Sequence, residues 1–317
     1  MQAHASGGPL SGTLPGVQAH LAQFNTATLR HPLDHDDNVS FIALLDGVNA
    51  AAEASPGFVW RHGIDSRDVN DAPYVDPLVL VNASVWESPA HLRDYVYKGI
   101  HLDTFRRRAD WFVESAQVMW WVPAGEIPTM DECMTRLAFL QEFGPSPYAF
   151  RTSTSQPQLL LRRHELDDPV VQAMLQRLND ELRAATPDGG TNFFHVAAEH
   201  VSEDNGAFVV AWLDGQPRAC GAWRRIDDVA QRPGTAEVKR MWADPEARGL
   251  RLGAAVLASL EAGARHHGIT ELRLETGEYL TAAVGLYRRF GFQPCEPWGE
   301  YVGVPHSYTM SKPLLPR

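Results

Sequence analysis

The run VKRMWADPEARGLRLGAAVLASL at residues 238–260 says more about the fold than any other part of the chain. Strand-forming residues enter a turn at Asp244-Pro245. Residues 249–267 then repeat apolar side chains at helical spacing, with Leu252, Val256, Leu257, Leu260 and Ala264 on one side. Between them, Arg248-Gly249-Leu250-Arg251-Leu252-Gly253 sets two glycines where a helix opens. A helix N-terminus presents unpaired N–H groups and positive partial charge, and glycine lets an anion approach the backbone. Such a turn can cradle a pyrophosphate, though an ordinary strand-to-helix connection remains open at this point.

Strands and helices alternate on both sides of that run. QLLLRRHEL reads as a strand and residues 169–185 as a helix. AFVVAWLDG and QPRACGAWRRI form a hairpin around Asp214-Gly215, a strong turn signal. TAEVKRMWAD, ELRLETG and SYTMSKPL read as further strands, and residues 281–290 as a helix. Upstream, GPSPYAFRTSTSQPQ (residues 144–158) loses all periodicity to proline and small polar residues, which is linker chemistry. A chain of 317 residues has room for two cores. The expected organisation is a disordered leader at 1–17, a domain at 18–150, a linker at 151–157 and a second domain at 158–317.

The first half reads strand, helix, strand, strand, helix, strand, helix. HLAQFNTATL is the first strand; Phe41, Leu44, Leu45, Val48 and Ala52 then mark one apolar helical face. GFVWRHG and LVLVNASVWES are strands, and Ser88-Pro89 opens a long helix expected to run to about Phe112. AQVMWWVPAG is the fourth strand, and a capping box of Thr129 and Glu132 begins a closing helix over 129–143. The order βαββαβ predicts an α+β, ferredoxin-like sandwich with helices on one face of an antiparallel sheet. Trp60, Trp86, Trp120 and Trp121 make that sheet rich in aromatics. An uncovered face of this kind predicts a homodimer closed sheet to sheet, with a cavity reached by Asn25, Trp60, Arg61, Asn82 and His101.

Charge narrows the partners. Residues 1–150 hold 9 Lys+Arg against 18 Asp+Glu, and the whole chain carries −11. An acidic surface suits neither nucleic acid nor anionic lipid. No stretch reaches the roughly 18 apolar residues of a membrane span, and the N-terminus lacks secretory-signal chemistry, so a cytoplasmic protein is expected. Three scattered cysteines (Cys133, Cys220, Cys295) form no disulfide or thiolate pattern. No HExxH motif is present, and adjacent His266 and His267 diverge by about 100° on a helix; no metal is expected.

With AEVKRMWADPEARG before the turn, LRLETG after the helix and AAVGLYRRFGF near the end, residues 158–314 resemble the GNAT superfamily of acyl-CoA N-acyltransferases. The family's phosphate signature, Q/R-x-x-G-x-G/A, is met at Arg248 and Gly253, whereas its central glycine is Arg251 here. The resemblance implies a GNAT α/β domain with a mixed central sheet and acetyl-CoA as co-substrate. The pantetheine arm would be held by backbone groups of Met241, Trp242 and Ala243, and the phosphates by Arg248, Gly249, Leu250, Arg251, Leu252, Gly253 and Ala254. It further implies Tyr287 as general acid and Glu237 as base. The alternative for each is packing: a helix-face aromatic and a strand carboxylate without proton work. An asparagine or glutamine often found seven residues before the tyrosine is Leu280 here. Residues 192–195 (Asn-Phe-Phe-His), Trp298, Glu300, Tyr301 and His306 are candidates for the acceptor side. Arg248 and Arg251, three residues apart, could flank one anion.

Residues 18–150 resemble an uncharacterised bacterial family allied to the antibiotic-biosynthesis monooxygenase-like dimeric α+β barrels. HLAQFNTATL, VNASVWESPAHLRDYVYKGIH and MWWVPAG carry the likeness. It implies no settled activity. Relatives of this barrel fold bind haem or aromatic small molecules, which makes His101 a candidate haem ligand or base. The leading expectation is an acetyl-CoA-dependent N-acetyltransferase acting on a small-molecule amine by direct transfer in a ternary complex. The alternative is haem or small-molecule chemistry in the first domain beside a degenerate transferase.

Overall fold

The computed structural model describes residues 17–63, 76–151, 156–187, 197, 201–202, 204–226 and 234–314. The chain divides into two compact units, with the division between Leu160 and Leu161. The expected leader, most of the expected linker and the 192–195 candidates lie outside the described residues.

The first unit runs β1 (Ala19–Leu29), α1 (Val39–Glu53), β2 (Phe58–His62), β3 (Val79–Trp86), α2 (Pro89–Val96), α3 (Gly99–Arg106), α4 (Arg108–Trp111), β4 (Phe112–Pro123) and α5 (Met130–Phe143). Its sheet has the order β2-β3-β1-β4 with antiparallel neighbours, as a ferredoxin-like βαββαβ domain requires. Ser88 caps α2 by accepting from the His91 N–H at 3.3 Å. The single long helix expected from there is three short ones. Lys98 is extended and Gly99 adopts φ +55°, which stops the first turn sequence; Arg107 at ψ 0° ends the next.

Register fixes which side chains share a face. Leu21 stands opposite Trp86 and Trp121, and this row packs on Ala52 of α1 and Leu92 of α2. Ala22, Phe24, Val118 and Trp120 point the other way and are all fully buried. Helix α5 lies on β4 there, with the Arg136 guanidinium 5.7 Å from the Trp120 ring. Helix α5 thus covers the β4 part of this second face, while Trp60 on β2 stays half-buried and His62 exposed.

The second unit runs β5 (Leu159–His164), α6 (Pro169–Ala185), β6 (Gly206–Leu213), β7 (Gln216–Arg225), β8 (Thr235–Ala243), α7 (Leu252–His266), β9 (Glu271–Gly277), α8 (Thr281–Arg289), β10 (Gln293–Pro294) and β11 (Ser307–Pro313). The sheet order is β10-β11-β9-β8-β7-β6-β5. It is mixed: β8 and β9 run parallel, whereas β6/β7, β7/β8 and β9/β11 are antiparallel. Asp214 and Gly215 both take positive φ at the β6–β7 turn, the backbone a two-residue hairpin needs. The apolar stripe of α7 is buried against β6, β7 and β8. Among the described residues, no helix is long and apolar enough to cross a membrane.

Candidate functional site

Parallel pairing of β8 with β9 begins at Thr235–Glu271 and ends at Val238–Leu274. Beyond that pair the strands part, so the edge of β8 from Lys239 to Ala243 is no longer bonded to β9. The cause is local. Arg240 adopts φ +60°, and the β7–β8 register slips between Cys220 and Ala222, which is a β-bulge. Gly221 faces this bulge, and a Cβ there would lie 2.4 Å from the Met241 sulfur and 2.8 Å from Val256 Cγ1. Only glycine lets β7, the bulge and α7 come together.

A cavity of about 250 Å³ opens where the strands part. Met241, Glu275, Leu280, Tyr287, Tyr301 and His306 contribute to its wall, with Leu178 and Leu182 of α6. Tyr287 packs edge-on against Phe292 with ring centres 6.0 Å apart. Its hydroxyl has no hydrogen-bond partner among the described residues. Burial, and then the charge of Glu275, raise the phenol's pKa above its ordinary value. Glu275 lies one residue past the last β8–β9 pair, at the fork of the two strands. Burial lifts its carboxyl above the usual carboxylate range; Ser307 and Lys239 pull it down, and Glu237 and Glu300 push it up.

Glu237 sits behind Tyr301 and Lys239, two residues of the cavity wall. It is 1% exposed and does not line the cavity. Arg224 donates to it at 2.8 Å, the Tyr301 hydroxyl donates at 2.5 Å, and Lys239 stands 3.5 Å away. Lys239 also donates to the Tyr301 hydroxyl at 2.7 Å and approaches Glu300 at 3.3 Å. Both Glu237 oxygens thus accept a side-chain donor, whereas Glu275 lines the cavity itself. Glu300 is drawn into the same network. His306 lines the cavity and pairs with Glu278 at 2.8 Å.

Two residues of the glycine turn take positive φ. Gly249 has φ +87° with open space on its Cβ side, and Arg251 is left-handed at φ +60°. Helix α7 therefore starts at Leu252, three residues later than periodicity suggested, and its first N–H groups, on Leu252, Gly253 and Ala254, have no partner within the helix. Below the turn, Arg218 holds Asp244 at 2.7 Å and Glu246 at 3.0 Å, and Asp244 caps the 3-10 turn Pro245–Ala247. Arg248 pairs with Glu181 of α6, which also accepts from the Trp242 indole at 3.0 Å.

A left-handed non-glycine residue costs about 1–2 kcal/mol, and glycine gives back about 0.5–1 kcal/mol in entropy. Arg251→Gly should therefore raise stability by roughly 0.5–1 kcal/mol, read as a higher urea midpoint at unchanged slope. A lower midpoint would mean that the arginine side chain contributes more than the backbone strain costs.

The candidates of the first unit do not converge on one pocket. Asn25 and Asn82 stand opposite each other on the face toward α1. There the Trp86 indole donates to Ser84 at 2.9 Å, Ser84 to Gln23 at 3.0 Å, and Gln23 to Asn25. Arg61 pairs with Glu53 of α1 at 2.8 Å. Trp60 is on the opposite face, stacked on His62 at 6.3 Å. His101 of α3 packs on Tyr95 at 4.6 Å with Nδ1 3.1 Å from the Val96 carbonyl. Burial lowers its pKa. His101 is thus engaged by Tyr95 and Val96 of α2.

Residues 172–292 match the family described as Acetyltransferase (GNAT) family, and residues 20–186 match the family described as Domain of unknown function (DUF3291). The IAA acetyltransferase of Azospirillum brasilense is 34% identical over 155 residues, covering 49% of this chain and 97% of that protein. An uncharacterized N-acetyltransferase of Bacillus subtilis (strain 168), YsnE, is 32% identical over 155 residues, covering 47% of this chain and 98% of that protein. The crystal structure of an acetyltransferase from Streptococcus agalactiae 2603 is 23% identical with a TM-score of 0.39, covering 49% of this chain and 98% of that one.

Proposed function

The chain belongs to the GNAT acetyltransferase family and carries a DUF3291 domain in its N-terminal half, and from that premise we propose direct acetyl transfer from acetyl-CoA to a small amine in a ternary complex. Membership makes the chain an acyltransferase. The reading of its mechanism rests on one observation: Glu275 and Tyr287 face a single cavity at the fork between β8 and β9.

Acetyl-CoA, when bound, supplies the acyl group as an activated thioester. The β8 edge at Met241, Trp242 and Ala243 would hold its pantetheine amides as an added strand holds its neighbour. The backbone of Gly249 and Leu250 and the first N–H groups of α7 would take the pyrophosphate. Glu275 replaces Glu237 as the base: it attracts the acceptor's ammonium and takes the proton that must leave before nitrogen can attack. Tyr287 donates a proton to the departing sulfur. No cysteine is needed, and burial pushes the Cys220 thiol up to about 12, far from nucleophilic use.

The test is thiol release from acetyl-CoA across a panel of primary amines, with acetyl-CoA binding followed by calorimetry. Stoichiometric binding and amine-dependent thiol release are expected. Binding without turnover on any amine would leave a CoA-binding domain and remove the catalytic reading; no binding would remove both.

A further inference from the structure

In the first unit, outside the transferase cavity, His31, His35 and Asp37 each offer one ligand atom within 4.8 Å of the other two. We propose that this group is a binding site for a divalent transition-metal ion of zinc type. The sequence spacing, H-x3-H-x-D across residues 31–37, matches no standard metal pattern, which is why no metal is expected from sequence alone.

The distances suit coordination. Asp37 Oδ2 lies 3.3 Å from His31 Nε2 and 3.6 Å from His35 Nδ1. Ligands about 2.1 Å from a tetrahedral zinc ion stand about 3.4 Å from one another. The third pair closes by rotation of two half-exposed rings, already stacked with centres 4.3 Å apart. Two imidazoles and one carboxylate favour zinc, nickel or copper over magnesium and calcium, which prefer all-oxygen shells. Three protein ligands on an accessible loop leave a position for water or an exogenous group.

The loop is held in shape before any ion arrives. Asn38 is 1% exposed, and its amide donates to the carbonyls of Pro32 at 2.8 Å and His31 at 3.2 Å. The His35 N–H donates to Pro32 at 2.9 Å, and Arg30 is tied by its N–H to Trp111 at 2.8 Å. These bonds fix the backbone under all three ligands, between the end of β1 and the start of α1. In the absence of metal, His35 Nδ1 accepts the Asp37 N–H at 3.2 Å. Metal binding exchanges that bond for coordination.

Equilibrium dialysis of the chelator-stripped full chain against zinc, read by elemental analysis, tests the site. One ion per chain is expected, undisplaced by excess magnesium, with affinity falling at least about tenfold in His31→Gln, His35→Gln and Asp37→Asn. The His31, His35 and Asp37 side chains are 45%, 46% and 64% exposed, so the variants should stay folded, with a metal-free melting temperature lowered by no more than the one His35 capping bond is worth. No zinc bound to the wild type would overturn the proposal. Equal zinc binding by a His31→Gln/His35→Gln double variant would do the same, because the ion would then sit elsewhere.

Discussion

Glu275→Gln should lower kcat by roughly 10²- to 10⁴-fold, the range of a positioned base, while raising the melting temperature. Both effects follow from one environment. Burial raises the Glu275 pKa in the folded protein above its unfolded value. The stability this group contributes is then full below the unfolded carboxylate pKa and is lost as pH rises through the folded one. Near neutral pH the ionised carboxylate is a cost to the fold, and a neutral amide of the same shape removes it. The gain should vanish below about pH 4, where glutamate is already protonated in both states. The wild-type rate should fall as pH drops through the raised pKa, and that acidic limb should be absent from the residual rate of the variant. Full turnover in the variant would take Glu275 out of the mechanism. A loss of rate together with a lower melting temperature would mark it as a structural residue instead.

Much of this architecture was legible in the sequence because it is written in local periodicity. The bounds of α6 and the Asp214-Gly215 hairpin follow from spacing and turn chemistry alone. What depends on register was not. Trp120 and Trp121 are adjacent, yet they lie on opposite faces, and only the position of α5 decides that the Trp120 face is covered. Asn25 and Arg61 carry polar groups suited to a pocket, but pairing turns both toward α1. The fork is the same kind of problem. ELRLETG announces a strand, whereas nothing in it says that pairing with β8 stops at Leu274 and leaves the next residue at a cavity. Glu237, set in the more informative stretch, drew the base assignment; the donors that hold it, Arg224 and Tyr301, come from 13 and 64 positions away. The twelve-residue spacing from Glu275 to Tyr287 was visible, but it gains meaning only once both side chains share a wall.

Tyr287→Phe should lower kcat by about 10²-fold and leave acetyl-CoA binding and stability nearly unchanged. The ring keeps its contact with Phe292, and the lost hydroxyl leaves no broken partner among the described residues. The raised phenol pKa has a consequence for timing. A phenol above its ordinary value is a poorer acid than the thiol it must protonate, so in the resting site it stays protonated and gives up little. Part of that rise comes from the negative charge on Glu275. Once Glu275 has taken the amine's proton, that charge is gone and Tyr287 becomes a stronger acid at the step where the sulfur leaves. The two groups then act as a coupled pair, and their losses should not add. The Glu275→Gln/Tyr287→Phe double variant should be slower than either single variant by less than the product of their separate effects. Measured by single-turnover kinetics at saturating acetyl-CoA, strictly multiplicative losses would show the two residues working independently and remove the coupling.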